Sequence, residues 1–84
     1  MNVEVISHDK HSAEFKIDNL TVAEILRIYL NESGVDFAAW RREHPSKPLI
    51  MKIQTSEGTV AKAVADASAA IKKDCDKLAA LLKK

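Results

Sequence analysis

Along this chain, polar and apolar residues alternate twice, then wind, and then repeat the scheme. Val3 and Val5 alternate with Asn2 and Glu4, a period of two that predicts a strand, and Ile6 follows. Ser7 to Ser12 is polar and reads as a loop. Ala13, Phe15 and Ile17 then alternate with Glu14, Lys16 and Asp18, a second half-buried strand. The period changes at Thr21. Its hydroxyl suits an N-cap, Glu24 three residues on completes a capping box, and Leu20 with Ile25 suits the accompanying staple. Val22, Ile25, Leu26, Tyr29 and Leu30 form one helical stripe that Gly34 terminates. Val35 to His44 predicts a third strand, with apolar residues on both faces, and Pro45 and Pro48 bracket a turn. Leu49 to Thr55 is a fourth strand, and Thr59 is an N-cap after the Ser56–Gly58 breaker. Val60 to Leu82 lacks Gly and Pro and is rich in Ala, Lys and Leu, which favours one long helix.

The order is β-β-α-β-β-α, in a single domain spanning 1–84. The long helix carries an apolar stripe of Val60, Val64, Ala67, Ile71, Leu78 and Leu82 that persists to its last turn. At 1.5 Å per residue it would be roughly 34 Å long, more than a four-stranded sheet shelters. Ile28 lies off the main stripe of the first helix and reads either as an isolated surface apolar residue or as a widening of the apolar face for a second contact. A domain of this size buries only about 60% of its unfolded surface, so its own core is marginal. Surplus apolar helix surface on a marginal core predicts a second protein as cover.

Composition narrows the function classes. The formal net charge is +1, which argues against a strongly basic nucleic-acid binder. One cysteine, Cys75, allows no intrachain disulfide and fits a reducing, cytoplasmic setting. The first residues show neither a basic region nor an apolar run, so no secretory signal is expected. No apolar run approaches the ~20 residues that span a bilayer.

Candidate chemistry is sparse. His8 and His11 sit in the first loop and His44 before a proline, without a third and fourth ligand at metal spacing. No metal or cofactor site is expected. Cys75 reads as a small buried hydrophobe on a helix face rather than a nucleophile. Gly34 and Gly58 belong to no phosphate-binding run. Trp40, Arg41, Arg42 and Lys47 make a basic-aromatic cluster, diluted by Asp36 and Glu43, that reads as strand-end ion pairing or a second interface.

Two blocks carry a resemblance: Asp18-x-x-Thr21 followed by Ile25-Leu26-Arg27 and Leu30, and Val35-Asp36-Phe37-Ala38-Ala39-Trp40 leading into His44-Pro45. With the alanine-rich last helix, they resemble the small alpha-like RNA polymerase subunits represented by archaeal subunit L. The chain departs from that pattern at Glu24, where the family usually has Asn, and at Trp40, where Tyr is commoner. The resemblance implies a two-layer α+β fold: a four-stranded antiparallel sheet with two helices on one face. It also implies a non-catalytic subunit that pairs with the larger alpha-like, D-type subunit as a platform for the catalytic subunits of a DNA-directed RNA polymerase. Ile25, Ile28, Tyr29, Val64, Ala67, Ile71, Leu78 and Leu82 would then face the partner, with Trp40, Arg41 and Arg42 a second surface. Two alternatives share the element order: a pterin carbinolamine dehydratase-like enzyme, if the three histidines converge, and a homodimer through the same helices.

Overall fold

A computed structural model describes residues 1–83 of the chain. Six elements run in the expected order: β1 (Val3–His8), β2 (Ser12–Ile17), α1 (Leu20–Glu32), β3 (Phe37–Arg41), β4 (Leu49–Gln54) and α2 (Val60–Leu82). The strands form one antiparallel sheet in the order β1-β2-β4-β3, with both helices packed on one of its faces. The shortest dimension of the molecule is 17 Å, the depth of one helix layer on one sheet.

The alternation explains the layers. Val3 pairs with Ile17, and Val5 with Phe15, so their side chains share the helix-side face. Ile17 pairs with Leu49, Phe15 with Met51 and Ala13 with Ile53, extending that face across β4. Ala38 and Trp40 complete it on β3. Leu30 from α1 packs with Met51 and Ile53, and Ala23 from the same helix packs with Leu49 and Ile17; the side chains of Leu30, Leu49, Met51 and Ile53 are fully buried. The opposite face carries Glu14, Lys16, Lys52 and Arg41 around the apolar Phe37, Ala39 and Ile50, and there Arg41 bonds Glu14 at 3.1 Å.

The first hairpin is tighter than its polar composition suggests. Strand pairing runs on to His8 and Ser12 through a bulge between Val5 and Ser7, leaving a loop of three residues. Asp9 closes it: its Oδ1 accepts from the backbone N–H groups of His11 and Ser12, each at 2.9 Å. Those two bonds hold the Asp9 carboxyl below the usual range.

The start of α1 corrects the expected capping box. Asn19, not Thr21, is the N-cap, its Oδ1 accepting from Val22 N–H at 3.0 Å. The third helical residue is therefore Val22, and Glu24 lies too far along to reach back to the cap. Leu20, placed inside the helix rather than before it, is 45% exposed and makes no staple. The helix end follows the expectation. Gly34 takes φ +95°, Gly34 N–H bonds Asn31 O at 3.3 Å and Val35 N–H bonds Leu30 O at 3.4 Å, the paired bonds of a Schellman motif. β3 is shorter than Val35–His44, because Val35 is used in that motif and pairing stops at Arg41. Thr59 caps α2 as expected, accepting from Lys62 N–H at 3.1 Å, and Val60 N–H bonds Lys10 O at 3.0 Å, seating α2 on the first hairpin.

Candidate partner interface

The helices cover β2, β4 and β3 but leave the inner face of β1 open. Val3 and Val5 point to the helix side and are nevertheless exposed. The gap is a groove of about 430 Å³, floored by Met1, Val3, Val5, Phe15 and Ile17 and walled by Val22, Ile25 and Leu26 of α1 and Val64 and Ile71 of α2. Among the described residues, Ser68 is the only polar one in its lining.

The groove runs directly into the second half of α2. Val60 and Ala67 of that helix are buried, and Ala63, Val64, Ala70 and Ile71 are half-buried. From Lys72 to Lys83 every residue is exposed. Leu78 lies eighteen residues, five full turns, beyond Val60 and so points in the same direction. The direction that is core at Val60 is open at Leu78, which is 58% exposed, because the sheet has ended. Leu81 and Leu82, 60% and 75% exposed, continue this overhang of about 16 Å. On α1, Ile25 and Ile28 add neighbouring exposed side chains one turn apart.

The sequence-derived interface residues therefore divide. Ile25, Ile28, Leu78 and Leu82 are exposed, and Tyr29, Val64 and Ile71 are half-buried. Ala67 is corrected: at 2% exposure it belongs to the chain's own core and has no surface to offer. Cys75 is corrected in the opposite sense, since it is exposed on the overhang rather than buried. Met1, Val3 and Val5 join the candidate surface without having been singled out by the sequence pattern. Alternation marks the two valines as inward-facing, but it carries no information on whether a helix reaches them.

Trp40, Arg41 and Arg42 do not form one patch. Trp40 lies under α1, where its Nε1–H donates to Glu24 Oε1. Glu24 also accepts from Arg27, Nε at 3.1 Å and Nη2 at 3.2 Å. The Arg27 bonds and then the Trp40 bond hold the Glu24 carboxyl below its ordinary range, and the same pairing raises Arg27. The two positions that depart from the pattern the chain resembles, Glu24 and Trp40, are thus each other's partners. Arg41 points to the other face, paired with Glu14 and, at 3.2 Å, with Glu43. Arg42 is exposed beyond the strand end.

The histidines do not converge. His8 ends β1 beside Ala13, which pairs with Ile53; His44 lies beyond Arg41, which pairs with Ile50. Three residues of β4 separate those rows, about 10 Å, before the further residues to His44. His44 is bound into its own turn, accepting at Nδ1 from Ser46 N–H at 3.2 Å. The dehydratase-like reading fails on this geometry. Among the described residues no group of His, Cys, Asp and Glu is placed to hold a metal ion, and no helix is long and apolar enough to cross a membrane. A polar cleft of about 240 Å³ lies between Gly34 and Gly58, and its Lys62 and Asp66 are paired with each other at 3.4 Å.

Against known proteins, the sequence profile of the family described as the RNA polymerase Rpb3/Rpb11 dimerisation domain matches residues 11–80. Among solved structures, the fold is similar to DNA-directed RNA polymerase subunit L of Thermoplasma acidophilum, with a TM-score of 0.83 at 20% identity, over 98% of this chain and 85% of that one. No curated protein matches the chain in sequence.

Proposed function

Because the chain belongs to the RNA polymerase Rpb3/Rpb11 dimerisation domain family, we propose that it is the small L-type assembly subunit of a DNA-directed RNA polymerase, pairing with the larger alpha-like, D-type subunit. The pair would serve in the cytoplasm as the platform for the two largest subunits, which perform nucleotidyl transfer. The small subunit contributes burial rather than catalysis.

One observation carries the reading: the apolar groove beside β1 reaches Ile71 of α2, where the uncovered half of that helix begins. Obligate interfaces bury on the order of 2,000 Å² or more and resemble a divided core. A groove lined almost wholly by apolar side chains, followed by Leu78, Leu81 and Leu82, is half of such a core. At ~25 cal/mol per Å² of apolar surface the gross gain is roughly tens of kcal/mol, of which lost rigid-body freedom and side-chain ordering remove much.

The test is co-expression with the larger D-type subunit and purification through a tag on that partner. Wild-type chain is expected to co-purify in equal amount. Leu78→Asp is expected to abolish co-purification while leaving the fold of the free chain intact, because Leu78 touches little of its own domain. Ile71→Asp is expected to do the same at the groove end. A stoichiometric complex with either variant would remove that part of α2 from the interface.

A further inference from the structure

The overhang of α2 raises a physical problem that burial does not solve. Its residues from Lys72 onward have no sheet beneath them. An isolated helical segment shorter than about 12 residues is marginal in water. Its local support is the Lys72–Asp76 pair at 2.7 Å, which is solvent-exposed and weak. Yet a partner gains most from a surface already in its bound shape, since ordering after contact subtracts from affinity.

Among the described residues, one side-chain hydrogen bond joins this overhang to another element. Tyr29 Oη–H of α1 donates to Asp74 Oδ2 of α2 at 2.7 Å, across 45 positions of sequence. Asp74 lies one turn past Ile71, the last half-buried residue of α2. The bond therefore sits where tertiary burial stops. Tyr29 is itself half-buried against the core, so its ring is an anchored post rather than a loose surface side chain. The acceptor is a carboxylate, which makes the bond charge-assisted. The bond to Asp74, then burial, raises the Tyr29 phenol above its ordinary range.

We propose that Tyr29 is a positioning residue that clamps α2 at Asp74 and keeps Leu78, Leu81 and Leu82 helical and aligned with the groove before a partner arrives. The proposal rests on the assembly reading for its purpose, but the clamp is a property of the free chain. Tyr29→Phe removes the hydroxyl and keeps the packed ring. Asp74→Ala removes the acceptor and keeps helix propensity.

Amide hydrogen exchange on the free chain tests the clamp alone. Either variant is expected to speed exchange over residues 75–82 by about three- to tenfold, the range one such bond is worth, with amides of β2 and β4 unchanged. The double variant is expected to match the singles, since both remove one bond. Unchanged exchange at 75–82 overturns the proposal, as does a uniform rise across the chain, which would make Tyr29 a general core residue. Binding to the surface-immobilised D-type partner then tests the purpose: the singles and the double are expected to lose the same three- to tenfold in affinity. Additive losses would make Tyr29 and Asp74 separate contacts with the partner and overturn the clamp. Failure of the wild-type chain to bind that partner would sink the assembly reading while leaving the exchange result standing.

Discussion

Asn19 sits two residues before the cap that the sequence favours, and that offset decides what Glu24 does. With Thr21 as cap, Glu24 would be spent on the helix start; with Asn19 as cap, it is free to take Trp40 and Arg27. The spacing to Glu24 favours Thr21, but Asn is the stronger cap of the two, and the helix starts there. Asn19→Ala is expected to cost about 1 kcal/mol in urea unfolding, and Thr21→Ala within about 0.5 kcal/mol. Glu24 also gives the chain a pH response. Its carboxyl is lowered in the folded chain, so its contribution is present above the unfolded value near 4.5 and is lost as pH falls through the lower folded value. Trp40 is the single tryptophan and touches the carboxyl directly, so its emission reports this event. A fluorescence transition below pH 4.5 is expected in the wild-type chain and absent in Glu24→Gln; an identical transition in the variant would assign it elsewhere.

At the scale of elements, the periods of two and 3.6 placed all six, because each carries an apolar face at its own period, whether the core buries it or, as on β1, leaves it open. Helix α2 shows where that legibility ends. Val60, Ala67, Leu78 and Leu82 form one stripe in the letters, yet Ala67 is core and Leu82 is surface. Periodicity records direction around a helix axis and not the position at which the sheet stops. The same limit hid β1: Val3 and Val5 face inward on a strand whose inner face no helix covers. The two ends of this logic differ in cost. Leu30→Ala, at 0% exposure, is expected to destabilise by about 2–5 kcal/mol, whereas Leu78→Ala is expected to stay within about 0.5 kcal/mol in the free chain. Urea titration of both variants measures the contrast. A large loss at Leu78 would mean that the overhang already packs against something in the isolated chain.

For the molecule as a whole, asymmetry between its two faces is the main feature. The outer sheet face carries paired charges such as Arg41 with Glu14, while the helix side gathers the groove and the exposed leucines. A chain built this way is half of a larger core, in keeping with its membership of a dimerisation-domain family. A partner of the D type is suggested only by the two sequence blocks before and after the turn that ends α1, since burial has no preference for a named partner. Analytical ultracentrifugation of the purified chain, alone and mixed with an equal amount of the larger D-type subunit, addresses this most directly. A single one-to-one species in the mixture, replacing both separate boundaries, is the expected result. Two boundaries that sediment unchanged, with the small chain a stable monomer at every concentration, would contradict it.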